Sequence, residues 1–213
     1  MYIFCSKALA DALNIKKNEL QKMPVDAQID ELYAWHGHIT KLNGKNTIIL
    51  MNDRTMYSLI FRNRLPRNVD KFAELIKEAI TYTMEVGGFN NPEIDKYMSG
   101  VGEIIFAEKA DRQMTGNLTR MFLDMECTCD RWQENESVQA EQAAFENNGI
   151  RRQGKEYVKP FERMLDEVVN QREEEGLWLI RILRCHGRLC HFSLKSSDGK
   201  ALRVYEMEKI TRK

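Results

Sequence analysis

Hydrophobic and polar residues alternate with a period of two in the first third of the chain, which is typical of β-strands. The alternation covers residues 33–40, a further strand is predicted over residues 47–51, and the dipeptide Asn43-Gly44 lies between them. Because both central positions of a type I′ turn take positive φ, this dipeptide predicts a two-residue hairpin. The hairpin places His38 opposite Ile49, and a third strand over residues 55–61 extends it into a meander.

Apolar residues spaced three and four apart follow, and this spacing is typical of helices with one buried face. The clearest helix is capped by Asn68 and ends at Gly87-Gly88. Its buried face comprises Val69, Phe72, Ile76, Ala79, Ile80 and Thr83. Further helices are predicted to begin at Asn91-Pro92, near Asp111 or Thr115, and at Pro160, whereas residues 133–154 are predicted to be part helix and part loop.

Two more strands precede helices. Residues 2–5 form a predicted strand before a short helix capped by Ser6, and residues 103–109 form another before the helix near Asp111. Together these elements predict an α+β domain over residues 1–176, in which an antiparallel meander sheet carries helices packed mainly on one face.

The last 37 residues have a different pattern and predict a small three-stranded β appendage over residues 177–213. Its strands are predicted at residues 177–185, 189–194 and 202–207, with turns that contain Gly187 and Gly199. Cys185 and Cys190 fall on the apolar face of the first hairpin, so we expect buried thiols there.

The net charge of the whole chain is zero, but the charges are segregated. Residues 177–213 carry nine basic and three acidic side chains, a net charge of +6 that residues 1–176 balance. Such segregation indicates contact with nucleic acid or an acidic partner, or docking of the tail on its own acidic body. The candidate binding residues are Arg184, Arg188, His191, Lys195 and Arg203.

Five cysteines, an odd number, indicate reduced thiols, and we therefore expect a cytoplasmic protein. The first residues lack the basic segment and apolar stretch of a signal peptide. No apolar run approaches the roughly 20 residues that a membrane span needs, so no membrane partner is expected.

Histidine and cysteine pairs suggest metal binding at two places, but neither pattern is complete. His36 and His38 share one face of a strand, and Asp53 or Glu31 would have to supply a third ligand. Cys127 and Cys129 point to opposite sides of a helix, so they cannot share a zinc ion there. We therefore expect no metal site and favour partly exposed strand residues as the explanation of His36 and His38.

Sequence signatures of nucleophile elbows, phosphate-binding loops and zinc proteases do not occur in the chain. The fragment Gly100-Val101-Gly102 follows a helix and precedes a strand, the reverse of the order in dinucleotide sites, so no cofactor is predicted.

Two polar clusters remain as candidates for binding an anion, and turn and cap chemistry is the alternative explanation of both. In that structural alternative, Asp53 pairs with Arg112, and Asp111 or Thr115 caps the helix. The candidate residues are Asp53, Arg54 and Thr55 in the first cluster, and Arg112, Thr115, Gly116 and Asn117 in the second.

The order of several short motifs resembles an uncharacterised bacterial domain family of unknown function over residues 1–168. The motifs are Cys5-x-Lys7, a strand with Trp35, Asn52-x-Arg54-Thr55, the Arg112…Gly116 turn, and Asn147…Tyr157-x-x-Pro160. The resemblance implies a setting beside plasmid- and transposon-associated domains, but no activity, cofactor or partner. His36 and His38 match none of its motifs.

These observations predict a non-enzymatic binding or regulatory module in a mobile-element or host–element conflict setting, with the basic tail as its contact surface. Two alternatives stay open. One is an enzyme or small-anion-binding protein in which the two polar clusters meet and His36 or His38 acts as a general base. The other is a dimerising scaffold without a small-molecule site.

Overall fold

The chain is described by a computed structural model that covers residues 1–24, 28–63, 66, 68–108, 111–128, 132 and 136–170. Residues 1–168 form one compact unit. The appendage predicted at residues 177–213 lies outside the described residues, together with Cys129 and all five basic-tail candidates.

Six strands form one sheet in the order β2-β6-β1-β3-β4-β5. They are β1 (Tyr2–Cys5), β2 (Gln21–Lys22), β3 (Ala34–Leu42), β4 (Lys45–Asn52), β5 (Ser58–Arg62) and β6 (Ile105–Glu108). A separate antiparallel hairpin, β7 (Arg151–Gln153) and β8 (Glu156–Val158), was not expected from the sequence.

The predicted meander is confirmed. Strands β3, β4 and β5 pair antiparallel, and His38 lies opposite Ile49. Asn43 and Gly44 have φ values of 48° and 75°, as the tight turn requires.

The expectation of an antiparallel sheet is wrong for the other half, where β1 pairs parallel with both β3 and β6, and β2 pairs parallel with β6. The alternation of apolar residues sets which side chains share a face, but it carries no information on strand direction. Long connections that contain helices return the chain to the same end of the sheet and so allow parallel pairing.

Six α-helices accompany the strands in the described part of the chain. They are α1 (Lys7–Ala12), α2 (Val69–Gly87), α3 (Asn91–Val101), α4 (Arg112–Glu126), α5 (Ala140–Asn148) and α6 (Pro160–Asn170). The predicted ends of α2 are confirmed. The Asn68 side chain accepts a hydrogen bond from the Lys71 N–H at 3.1 Å, and Gly88 ends the helix with φ of 101°.

Both faces of the sheet are covered by helices. Ile48 and Leu50 of β4 belong to an apolar core that includes side chains from α1, α2, α3 and α6. Ile49 and Met51 belong to a second core that includes side chains from α4. The run Ile48–Met51 has no polar face, which is typical of a strand buried on both sides. No helix in the described ranges is long and apolar enough to cross a membrane.

Candidate functional site

The parallel strands β1 and β6 are neighbours, and the helices that follow them lie on opposite faces of the sheet. Helix α1 places Leu9 in the first core, and helix α4 places Leu118 in the second. Two adjacent parallel strands whose connections diverge in this way leave a crevice at their carboxyl ends, where open α/β sheets bind ligands. We call this place the β1/β6 crevice; it contains the ends of β1 and β6 and the starts of α1 and α4.

A cavity of about 50 Å³ opens in this crevice on the side of α4, and we call it the α4-side cavity. Its walls come from β1, β3, α4 and the cap of α1. The lining residues are Phe4, Cys5, Ser6, His36, Gly37, His38, Thr115 and Leu118. The space suffices for a few solvent-sized atoms, since one water needs roughly 10–15 Å³ by this kind of measure.

His36 is a buried polar residue of the α4-side cavity. Its Nδ1 lies 2.6 Å from Oδ1 of Asp53, and the side chains of both residues are more than nine-tenths buried. The other ring nitrogen, Nε2, is buried without a hydrogen-bond partner. In the neutral tautomer that carries its proton on Nδ1, the His36 ring donates to Asp53 and keeps a lone pair on Nε2. This arrangement presents a hydrogen-bond acceptor that the fold leaves unsatisfied.

His38 holds a second polar contact in the same cavity. Its Nδ1 lies 2.8 Å from Oγ of Ser6, which also caps α1 by accepting the Leu9 N–H at 3.2 Å. Phe122 contacts the imidazole edge to face, with ring centroids 5.8 Å apart. Partial burial lowers the pKa of His38 from its ordinary value of 6.5, which favours the neutral imidazole.

Two larger spaces each share one lining residue with the α4-side cavity. One, of about 230 Å³, shares His38 with it and continues between β3 and α4 past Thr40 and Thr119; we call it the outer groove. The other, of about 250 Å³, shares Cys5 with it and lies against α1, with Lys7 and Glu108 in its walls. Burial raises the pKa of Cys5 to about 12, so this thiol stays protonated and is a poor nucleophile at neutral pH.

The cluster at residues 52–55 does not form one binding site. Asp53 is turned to His36, whereas we expected Arg112 as its structural partner. The Arg54 guanidinium contacts Glu167 of α6 at 3.0 Å and Asp30 at 3.8 Å, and Arg54 is not among the residues that line the α4-side cavity. Thr55 is buried and donates its hydroxyl proton to the Asn52 side chain at 2.9 Å.

The cluster at residues 111–117 is mainly the start of α4, and Asp111 rather than Thr115 is its cap. The Asp111 carboxylate accepts the N–H groups of Gln113 and Met114 at 2.8 and 2.9 Å, and Thr115 N–H binds the Asp111 carbonyl. Gly116 and Asn117 lie inside the helix, where backbone N–H groups bind carbonyls one turn back.

These backbone N–H groups are therefore engaged within the helix, because α4 begins at Arg112, earlier than an anion cradle at residues 115–117 requires. Arg112 is exposed at the first turn of α4. Of the seven candidates, only Thr115 lines the α4-side cavity, and Asp53 acts there through His36.

His36, His38 and Asp53 were named from the sequence only as members of an incomplete metal pattern and of a possible base and anion site. The favoured explanation of partly exposed strand residues is wrong for His36, which is buried. Ser6 was not among the site candidates. Ser6 was recognised only as a cap. The signal that identifies it is its position directly after a strand that pairs in parallel, which alternation alone does not reveal. No group of three or more His, Cys, Asp or Glu side chains that could hold a metal occurs within the described ranges.

Comparison with known proteins gives the family but no activity. A family model described as "Domain of unknown function (DUF6933)" matches residues 2–163, and the chain belongs to that family. No curated protein matches the chain.

Proposed function

We propose that this member of a domain family of unknown function binds a small molecule in the β1/β6 crevice, with a hydroxyl or similar donor group of the ligand on His36. The single observation that carries the proposal is the buried Nε2 of His36, unsatisfied beside a cavity while Asp53 holds Nδ1. A buried polar atom without a partner costs about 1–3 kcal/mol, which a donor ligand or a bound water would recover. This proposal differs from the enzyme or small-anion-binding alternative predicted from the sequence, because the ligand is a neutral donor on His36 and not an anion held by the two polar clusters.

The electrostatics of the α4-side cavity favour a neutral donor over an anion. The Asp53 carboxylate lies directly behind His36, and the Asp111 carboxylate occupies the amino end of α4. Both negative charges oppose a second anion, and Asp111 already takes two of the N–H groups that would otherwise attract one. A hydroxyl proton, in contrast, meets a free lone pair on Nε2.

A titration with three small probes tests this proposal. Ethylene glycol, acetate and phosphate are added separately at about pH 8 while the Cε1–H signals of His36 and His38 are followed by NMR. We expect a saturable shift with ethylene glycol in the millimolar range, since four non-hydrogen atoms contribute at most about 6 kcal/mol. Acetate and phosphate should leave both signals in place.

Variants assign the effect to His36. In Asp53→Asn the imidazole loses its anionic partner, so we expect the ethylene glycol dissociation constant to rise at least about five-fold. Arg152→Gln, on the exposed hairpin, serves as a matched surface control and should behave as the wild type. Saturable binding of acetate or phosphate would favour the anion alternative, and no saturable shift with any probe would contradict a ligand site here.

The basic tail supports a second candidate function, the binding of nucleic acid or an acidic partner, which was the leading expectation from the sequence. Its support is the net charge of +6 over residues 177–213. The resemblance to a bacterial family found beside mobile-element domains supports the same setting, and the odd number of cysteines supports a cytoplasmic location.

Salt dependence distinguishes this second candidate from a tail that docks on its own body. A labelled single-stranded oligonucleotide should bind the whole chain at low salt and weaken steeply as salt rises, because phosphate contacts release counterions. Deletion of residues 177–213 should abolish this binding. Equal affinity after the deletion, or no binding at low salt, would eliminate the tail as a nucleic-acid surface, and a salt-independent dimer of the whole chain would instead favour the scaffold alternative.

A further inference from the structure

The contact between Ser6 and His38 has the geometry of a serine with its base, and the ligand-binding proposal does not use it. The Ser6 Oγ lies 2.8 Å from Nδ1 of His38, within hydrogen-bond reach. Ser6 follows the last residue of β1 and precedes the first of α1, so its side chain lies at the carboxyl end of a parallel strand. Both side chains are partly exposed, and both line the α4-side cavity.

We propose that Ser6 is a nucleophile for acyl transfer and that His38 is its general base. The inference rests on the proposed function, because the same crevice must admit the substrate. Burial lowers the pKa of His38, so the imidazole is free to accept a proton at neutral pH. The tautomer with its proton on Nε2 leaves Nδ1 as the acceptor that faces Ser6.

The reaction balances with an ester and water alone. Ser6 Oγ forms a bond to the ester carbonyl carbon while its proton passes to Nδ1 of His38. The carbon–oxygen bond to the leaving alcohol then breaks, and the alcohol takes the proton from His38. Water attacks the acyl-serine and gives a proton to His38. The bond between the acyl carbon and Ser6 Oγ then breaks, His38 returns the proton to Oγ, and the carboxylic acid leaves.

The sizes of the two spaces indicate the substrate class. The α4-side cavity of about 50 Å³ accommodates only a short acyl group, whereas the outer groove of about 230 Å³ has room for a larger alcohol part. His38 lines both spaces, so an ester with one part in each would pass beside its imidazole. We infer esters of short-chain acids with a larger alcohol.

A fluorophosphonate with short alkyl groups tests the nucleophile directly, because it transfers its phosphonyl group to an activated serine and releases fluoride. We expect one label on the whole chain, located on Ser6 by peptide mass spectrometry. His38→Gln should lower the labelling rate about 100-fold or more, the usual contribution of a general base. Ser6→Asn keeps a side-chain acceptor for the helix cap and should fold but not react.

Ser99→Ala is the matched control, since Ser99 is exposed on α3 and bonds only its own helix, to the Lys96 carbonyl; it should label as the wild type does. An unlabelled Ser6 in the folded wild type, or an unchanged rate in His38→Gln, would overturn the proposal. The ethylene glycol titration separates the two ideas: a persistent His36 shift without labelling would leave the ligand site standing and remove the acyl transfer.

Discussion

At the scale of single residues, Asn52 explains why the turn after β4 has its shape. Its side-chain Nδ2 donates to the carbonyls of Leu32 at 2.8 Å and Ala34 at 3.2 Å, and its Oδ1 accepts from the Thr55 N–H and hydroxyl, both at 2.9 Å. The Asn52 side chain thus ties the start of β3 to the turn that presents Asp53. The polar cluster at residues 52–55 is largely structural for this reason.

Replacing Asn52 with alanine should lower the free energy of unfolding by about 3 kcal/mol or more. Several buried donors and acceptors lose their partner at once, and each unsatisfied group costs about 1–3 kcal/mol. Urea unfolding of Asn52→Ala measures the loss, with Asn46→Ala on the exposed side of β4 as control. Similar stabilities of the two variants would contradict this role of Asn52.

His38 should make stability depend on pH. Burial lowers its pKa in the folded protein, so the unfolded chain binds more protons once the pH falls toward 6.5. The free energy of unfolding therefore decreases as pH falls through 6.5, and this part of the decrease ends below the folded-state pKa of His38.

The variant His38→Gln isolates this contribution. Urea unfolding at about pH 8 and pH 5 should give a smaller loss on acidification for His38→Gln than for the wild type. Equal losses in the two proteins would show that His38 does not carry the effect.

At the scale of elements, two glycines should respond in opposite directions to the same substitution. A Cβ at Gly37 on β3 would lie 2.5 Å from Leu9 of α1 and 2.7 Å from Leu50 of β4, both fully buried. A Cβ at Gly116 in α4 would meet nothing within 4 Å.

Gly37→Ala should therefore destabilise the protein by about 1–3 kcal/mol through overpacking. Gly116→Ala should stabilise it by roughly 0.5–1 kcal/mol, because alanine is the better helix former. Thermal unfolding of the two variants measures the direction of each change in stability. Gly116→Ala should also leave the NMR shift caused by ethylene glycol unchanged. Loss of that shift would instead indicate that Gly116 is a binding residue.

Local patterns predicted those elements whose signals are contained in the elements themselves. Asn68 and Gly88 fix the ends of α2, and the Asn43-Gly44 turn fixes the register of β3 against β4. The short strand β2 and the hairpin β7–β8 have two or three residues per strand, too few for an alternation to be recognised.

At the scale of the whole molecule, the site depends on long-range pairing. The parallel register of Phe4 with both His36 and Ala107 brings three distant segments together at the carboxyl end of β1. Nothing near Ser6 in the sequence indicates that His38 will lie beside it. The sequence therefore offered His36, His38 and Asp53 as candidates and Ser6 only as a cap, and it did not predict their arrangement around one crevice.

The position of the protons on His36 tests the central claim most directly. A two-bond ¹H–¹⁵N spectrum at about pH 8 distinguishes protonated from unprotonated ring nitrogens. We predict a protonated Nδ1, held by Asp53, and an unprotonated Nε2 whose signal moves when ethylene glycol is added. A proton on Nε2, or an Nε2 chemical shift that does not change when ethylene glycol is added, would contradict the ligand site proposed for the β1/β6 crevice.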